Sequence, residues 1–521
     1  MTTATSTYTT DDPRSLKGQP LSGGMLWLAA IILASANFIA VLDMTIANVS
    51  VNTIAGSLGI SSSQGTWIIT SYSVAEAIAV PLTGWIAGRF GAVAVFSSAI
   101  WLFGAFSAIC GFADSLSVLV FGRVMQGLAG GLMIPLSQTL LMRIFPKEKA
   151  AGAMALWAMT TLTAPVIGPI VGGMICDSYS WPLIFFINVP LALFCAPVVW
   201  RMLARYEEAL IRAPIDTVGL VLMIVAVGAL QLMLDLGKEH DWFASTGIIA
   251  LAVIAVLGLA VLIIWELTEE HPIVDLRVFR HRGFATGVLI ISLGFAAIFA
   301  GNVLTPLWLQ SHMGYTATDA GLATAWSGVL AVFAAPFAGM LSAKIDQRKL
   351  ICAGLSWLAF TMVLRADATT DMTYWQISIP LFLMGAGMPF FFVPLTTLAL
   401  GSVEEHETAS AAGMQNFLRT LSGAVATSLV TTYWDDQAQI MHAELVGLSD
   451  RNNETVDALT RIGLSFDAAL QQLDHMILGQ SVMIATNQLM ALTTIIFAAA
   501  AALIWLAPKA TRKVDMSKAG H

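Results

Sequence analysis

Pro81-Leu82-Thr83-Gly84-Trp85-Ile86-Ala87-Gly88-Arg89 returns 255 residues later as Pro336-Phe337-Ala338-Gly339-Met340-Leu341-Ser342-Ala343-Lys344. The proline, the first glycine and the closing basic residue keep their spacing. Both stretches close long apolar runs. A second echo, Pro135-Leu136 against Pro394-Leu395, falls two runs further on in each case. The chain therefore reads as two copies of one helical unit. Repeated helical halves are a transporter signature, with the binding site expected where the copies meet.

Working outward, the runs around these stretches are apolar throughout rather than alternating, which disfavours a transmembrane β-barrel. Of 521 residues, 57% are hydrophobic and only 11% charged, against about 25% charged in an ordinary soluble domain. A spanning helix needs about 20 mostly apolar residues. Fourteen such segments are expected, near 25–47, 64–87, 92–112, 116–141, 151–175, 182–203, 216–236, 245–267, 284–308, 318–342, 350–366, 376–400, 408–432 and 482–507. The first reads as a retained helix, not a cleaved signal peptide.

The basic residues test this count. With both termini cytoplasmic, the inner segments hold 19 of the 25 Lys and Arg. The outer segments hold four (Lys238, Arg365, Arg451 and Arg461), and Arg123 and Arg419 lie within helices. The inner loop near 401–407 departs from the pattern, having no basic residue but Glu404, Glu405 and Glu407. The expected fold class is an all-α integral membrane protein of 14 helices in a 6+2+6 order. Its parts are a cytoplasmic tail (1–24), a six-helix bundle (25–203), an inserted two-helix linker (204–283), a second six-helix bundle (284–507) with an outer loop at 433–481, and a cytoplasmic tail (508–521). Within the outer loop, Ala469, Leu470, Leu473, Met476 and Ile477 have helical spacing and predict an amphipathic helix. The cysteines (Cys110, Cys176, Cys195, Cys352) lie in or beside apolar runs and read as small buried hydrophobes.

A charge at membrane depth costs several kcal/mol, so each is a functional candidate. Asp43, Glu76, Arg123 and Arg419 are the four, and Asp235 is expected at the interface. A carboxylate in a low-dielectric cavity can take up and release a proton near neutral pH, and a neighbouring Arg alters its poise. Asp43 and Glu76 with Arg123 could form such a proton switch; a structural ion pair is the plainer reading. Ala164-Pro165-Val166-Ile167-Gly168-Pro169-Ile170-Val171-Gly172-Gly173 predicts a kinked, tightly packed helix. No phosphate-binding Gly-rich loop, HExxH or zinc-spaced Cys/His set is present, so no ATP hydrolysis, enzyme chemistry, metal or cofactor is expected. An ion gradient would supply the energy.

These residues resemble motifs of the major facilitator superfamily. Gly84 to Gly91, with Arg89, is similar to its loop motif. Leu119 to Gly131, with Arg123, Gln126 and Gly127, is similar to its fourth-helix motif. Gly168-Pro169 with Gly172-Gly173 is similar to its antiporter motif, and Leu42-Asp43-Met44-Thr45 to a first-helix motif of the fourteen-helix drug/proton antiporters. Gln231-Leu-Met-Leu-Asp235 through Trp242, and Trp265-Glu266 through Asp275, resemble the EmrB-type multidrug exporters. The loop motif departs from the family at Gly88, where an acid is usual, and at Ala92, where a basic residue is usual. The latch assigned to that loop is then expected to be weaker or placed elsewhere, with Asp346, Arg348 and Lys349 offering charges in the second copy.

The resemblance implies a bacterial inner-membrane exporter of hydrophobic or amphipathic toxic compounds, driven by protons and set in membrane lipid. It also implies a periplasmic membrane-fusion adaptor and an outer-membrane channel as partners; no nucleic acid is expected. Gln138, Trp157, Asn302, Trp308, Phe391 and Phe392 are candidates to line the substrate site between the halves. An uptake permease on the same scaffold is one alternative, and a membrane sensor without transport is another.

Overall fold

The structure, a computed structural model, describes residues 23–146, 149–207, 216–449 and 454–508. Most of the two expected tails lies outside these residues, as do Lys147, Arg212 and Arg451. All described regular structure is helical. The first half comprises α1 (Gly23–Leu58), α2 (Ser62–Gly65), α3 (Trp67–Ala79), α4 (Thr83–Phe90), α5 (Ala92–Gly111), α6 (Leu116–Ile144), α7 (Ala150–Ser178), α8 (Leu183–Phe186) and α9 (Asn188–Leu203). An inserted pair follows, α10 (Thr217–Leu236) and α11 (Thr246–Thr268). The second half comprises α12 (Arg282–His312), α13 (Ala317–Lys344), α14 (Gln347–Arg365), α15 (Tyr374–Gly401), α16 (Thr408–Ser449), α17 (Glu454–Arg461) and α18 (Phe466–Leu503).

Each expected segment lies on one of these helices or on a broken pair. Ten of the helices described are long and apolar enough to cross a membrane, and eleven when bent α7 is counted. The remainder are helical but interrupted or more polar. Pro81 splits the second segment into α3 and α4, because proline removes a backbone donor and clashes with the preceding turn. α14 is bracketed by Arg348, Lys349 and Arg365, and α16 carries Gln415, Asn416 and Arg419. α7 bends by 42° between Ala150–Pro165 and Ile170–Cys176, at the prolines that predicted a kink.

The packing repeats as the sequence does. In the first half α1 packs on α7, α6 and α9, α6 on α3 and α5, and α5 on α9. In the second half α12 packs on α16, α15 and α18, α15 on α13 and α14, and α14 on α18. The halves meet along two seams, α7 against α13 and α3–α4 against α16. The repeated stretches lie on these seams. A Cβ on Gly84 would collide with the backbone and side chain of Ser410 on α16. A Cβ on Gly339 would lie 3.0 Å from Ala155 Cβ and 3.1 Å from Ala151 O on α7. The glycine kept in both copies is thus where one half presses on the other.

Two expectations change. The outer segment 433–481 is not a loop: α16 continues to Ser449, α17 follows, and α18 begins at Phe466. Trp434 Nε1 donates to Thr486 Oγ1 at 2.9 Å, and His442 lies 3.0 Å from Asp474, so α16 and α18 extend together as a pair. The apolar spacing around Ala469 to Ile477 belongs to the start of α18. The first helix also runs eleven residues past its expected end, which places Asp43 well inside it.

Of the inserted pair, α10 stands against α3 and α16, and α11 packs on α10. Trp265 Nε1 donates to Asp216 at 3.0 Å, and Asp216 caps α10 by accepting from Gly219 N at 2.8 Å. Glu266 accepts from Val274 N at 3.1 Å. Trp242 Nε1 donates to Thr432 at 2.8 Å, and Lys238 pairs with Asp435 at 2.5 Å. The first EmrB-like stretch thus docks the insertion on α16, and the second ties the insertion together. The acidic loop at 404–407 is also explained: Arg280 lies 2.8 Å from Glu407 and 3.4 Å from Glu404, and His281 lies 2.8 Å from Glu407. Its countercharge arrives from the loop before α12.

Candidate functional site

Within the first half, Arg123 Nη1 donates to Asp43 Oδ2 at 2.5 Å, and both side chains are 1% exposed. Five elements surround the pair. Arg123 Nε donates to Ile68 O (3.0 Å), and Nη1 also reaches Gln126 Oε1 (3.1 Å). Gln126 Nε2 donates to Ser107 Oγ (2.6 Å) and to Asp43 Oδ1 (3.4 Å). Asn188 Nδ2 donates to Asp43 Oδ1 at 2.6 Å. The guanidinium carbon lies 4.2 Å from the centre of the Tyr72 ring. Both charges are thus matched by a counter-charge, amides and a π face, as a buried pair requires. Asn188, Ser107 and Tyr72 were not foreseen. The signal available for Asn188 was a lone amide in the apolar run Phe186-Ile187-Asn188-Val189.

Glycines bring the helices close enough for this. A Cβ on Gly127 would strike Tyr72 O and Ala75, and one on Gly131 would lie 2.9 Å from Glu76 O. The Gly127-x3-Gly131 stripe therefore seats α3, which carries Glu76, on α6. A Cβ on Gly168 would strike Thr45, and one on Gly172 would lie 3.2 Å from Ile46 O. The antiporter-like stretch is pressed against α1 two to three residues from Asp43. Thr45 Oγ1 lies 3.4 Å from Ala164 O, next to Pro165. Gly173 has open space around it and takes no part in this contact. The side chain of Pro169 lies outside the described residues.

Gly91 adopts φ +93° at the end of α4, a conformation that favours glycine. Against it sits Glu207, which accepts from Val93 N (3.2 Å) and Ala94 N (2.9 Å). A carboxylate from the end of the sixth segment thus occupies the start of α5, where helix amides attract an anion. In the second half, Asp346 caps α14 by accepting from Arg348 N at 3.0 Å, and Arg348 Nη1 donates to Ala507 O at 3.3 Å. Arg89 lies over the Trp85 and Phe90 rings, at 5.8 and 5.9 Å. The carboxylate at the end of this loop stretch comes from Glu207, far away in sequence.

A second polar group spans the two halves. Asn416 Nδ2 donates to Gln138 Oε1 at 2.5 Å, joining α16 to α6. Trp157 on α7 stacks on Phe392 of α15, with centroids 5.7 Å apart and planes at 10°. Arg419 lies within 6 Å of three rings: Phe295 (5.0 Å), Trp157 (5.8 Å) and Phe392 (5.9 Å). Glu76 lies buried on α3, 3% exposed. Among the described residues Glu76 Oε2, Arg419 Nη1, Gln138 Nε2, Asn416 Oδ1 and both polar side-chain atoms of Gln415 are buried without a hydrogen-bond partner. Buried polar atoms are normally satisfied, so several orphans at one seam mark a place where a guest or a proton can enter.

The sequence-derived lining candidates divide. Gln138, Trp157 and Phe392 converge on this seam. Phe391 does not: it is fully buried inside the second half, against Gly294. Trp308 lines a separate cavity with Arg365 and Thr305. Asn302 is half-buried on α12. Arg365, counted with the outer segments at the end of its expected helix, is 9% exposed and buried inside the bundle.

Two repeated helical halves joined by an inserted pair, with buried charges at their interior and seam, define a polytopic membrane protein of the transporter class. The chain belongs to the major facilitator superfamily, whose family model matches residues 33–427. Within that family it groups with the EmrB-type exporters. It is 43% identical to the multidrug export protein EmrB of Haemophilus influenzae, over 94% of this chain and 97% of that one. It is also 43% identical to the fatty acid resistance protein FarB of Neisseria gonorrhoeae, over the same shares, and 42% identical to EmrB of Escherichia coli K12, over 94% and 96%. The fold is shared with the proton:xylose symporter XylE (TM-score 0.53, 14% identity, 88% of this chain and 94% of that one). It is shared equally with the human organic anion transporter MFSD10 (TM-score 0.55, 12% identity, 91% and 100%). The protein is a multi-pass inner-membrane transporter.

Proposed function

We propose that this transporter exports hydrophobic and amphipathic toxic compounds in exchange for protons, with fourteen spans and both termini in the cytoplasm. The observation that carries this reading is the pair Glu76 and Arg419. They lie on helices of opposite halves, both are buried, and each has a buried polar atom without a hydrogen-bond partner. A nearby cation favours the charged form of a carboxylate, and its withdrawal favours protonation. Relative motion of the halves therefore changes the protonation of the acid, which is the coupling an antiporter needs. Asp43 and Arg123 form the second station. Gln126 and Asn188 keep Asp43 hydrogen-bonded and available for exchange when α1 shifts against α6.

The substrate binds where Trp157, Phe295 and Phe392 provide flat apolar faces and Gln138, Asn416 and Arg419 provide adaptable polar ones. A few polar groups in an aromatic pocket suit many compounds rather than one. The names of the relatives, multidrug export and fatty acid resistance, support an amphipathic cargo. The paired extensions of α16 and α18 with α17 form the surface that a periplasmic membrane-fusion adaptor would contact, and an outer-membrane channel would complete the pump.

The test is substrate-dependent proton release in proteoliposomes. Wild type is compared with Asp43→Asn, Glu76→Gln and Arg123→Ala. Loss of coupled release in these variants, with protein still folded, is the expected result; coupled release retained in all three would refute the proton path.

A further inference from the structure

The seam is not the only place where a buried arginine lacks an anion. Arg365, at the end of α14, is inside the second half at 9% exposure. Its Nη2 donates to the hydroxyl of Thr305 on α12. Its Nη1 has only thioethers near it, Met362 Sδ at 3.6 Å and Met384 Sδ at 3.9 Å. Sulfur is a weak acceptor, while a guanidinium carries five donors. Among the described residues no carboxylate pairs with it. Gly301 leaves the space: a Cβ there would lie 3.3 Å from Arg365 Nη1. A full positive charge held this way is expensive unless something neutralises it.

Arg365 borders a cavity. Its walls come from α12 (Thr305, Trp308), α15 (Ile377, Pro380) and α18 (Met490), and they are mostly apolar. The space is about 30 Å³ and is partly open. That holds a group the size of a carboxylate, since one water needs roughly 10–15 Å³ by the same measure. It is too small for a glycerophosphate head. Leu364 and Gln376 are exposed at the rim. Around the mouth Val363, Trp375 and Ile379 present apolar side chains outward, at 53%, 57% and 52% exposure. In a bilayer those side chains face lipid, so a tail leaving the cavity would lie among acyl chains.

The first half shows what such a place needs. There Arg123, on the fourth segment, is surrounded by the first, second, third and sixth, and Asp43 of the first segment neutralises it. In the second half Arg365, on the third segment, is surrounded by the first, fourth and sixth, and the first segment offers Thr305 instead. We infer that the Arg365 cavity is a binding site for a lipid-borne fatty carboxylate, whose head group takes the place that Asp43 fills in the other half. This site is separate from the seam and goes beyond the transport reading given above.

Binding of radiolabelled dodecanoate to the purified full-length chain in phosphatidylcholine nanodiscs tests it. An Arg419→Gln background keeps the seam from contributing a second anion site. In that background dodecanoate is expected to bind saturably, and dodecanol at least ten-fold more weakly. Equal binding of the two would mean apolar partition and would overturn the site. Adding Arg365→Gln should weaken dodecanoate at least ten-fold; unchanged binding overturns it. Thr305→Asp covers the case in which Arg365→Gln does not fold. It installs the carboxylate that the first half already has, so the protein should fold and melt higher while dodecanoate binding disappears. Persistent binding to that variant overturns the proposal, as does displacement of dodecanoate by phosphatidylglycerol. Coupled transport is measured separately, so failure of this site leaves the proton path standing, and the reverse holds too.

Discussion

Arg123 lies on the fourth segment of the first half and Arg365 on the third of the second, and each is buried against the first and sixth segments of its own bundle. Around Arg123 the interactions are complete: a carboxylate, a backbone carbonyl, a glutamine and an aromatic face. Around Arg365 there is a threonine hydroxyl and two thioethers. At the seam, likewise, the first half contributes the acid Glu76 and the second the cation Arg419. One scaffold has thus been filled twice with opposite surplus: buried acids in the first half, buried bases in the second. In a repeat fold the shared backbone positions the charge, and the side chains decide whether it is sealed or left for a partner.

The largest effect should come from unsealing the complete site. Asp43→Ala leaves Arg123 buried without its anion and should destabilise the protein by about 3–5 kcal/mol, the usual consequence of removing one partner of a buried pair. Asp43→Ala with Arg123→Met removes both charges and should restore most of that stability without restoring coupled transport. Thermal unfolding in detergent measures the first, and proton release the second. If the single variant melted like wild type, the first half would not be the sealed one, and the comparison would fail.

Next come the two copies of the stretch on which the repeat was recognised. Gly84 faces the Ser410 backbone more closely than Gly339 faces Ala155 and Ala151. Gly84→Ala should therefore cost about 1–3 kcal/mol through overpacking, and Gly339→Ala less. Crosslinking between the halves would show the same order, with the α4–α16 seam perturbed more than α7–α13. Equal costs would mean that the two seams are tighter or looser than the geometry implies.

Much of this was legible in the sequence. The repeat, the segments and the four buried charges followed from apolar length and from the expense of charge in lipid, both of which are local properties. Glycines at fixed spacing also announced close crossings. Other features were not legible, because they depend on which helix faces which. Asn188 meets Asp43 across 145 positions, and Glu207 reaches the start of α5 across more than 110. Arg365 was misplaced because hydropathy sees the end of a segment but not the direction of a long side chain. Phe391 and Phe392 are neighbours in sequence, and only the rotation of α15 decides which one faces the seam. The outer helices of α16 to α18 were read as loop because their polar residues hide helical continuity when apolar length is the criterion.

The smallest effect concerns the one acidic loop that broke the charge rule. Glu407 is 4% exposed, and burial pushes its pKa up, but Glu404 N, His281 and Arg280 together outweigh that and hold the carboxyl below the usual range. A carboxylate whose folded pKa is depressed stabilises the fold above its unfolded pKa, and this contribution fades as pH falls through the folded value. Glu407→Gln should therefore cost about 1–3 kcal/mol at neutral pH, the range for losing hydrogen bonds to a charged group. The difference from wild type should shrink as pH drops below the ordinary carboxylate range. Arg280→Gln should follow the same pH course with a smaller amplitude, because that side chain is 53% exposed and solvent already screens it. Melting curves of the three proteins from neutral to acid pH decide the matter. A Glu407→Gln difference that stayed constant with pH would mean that the contact is held by packing, and the acidic loop would then need another countercharge.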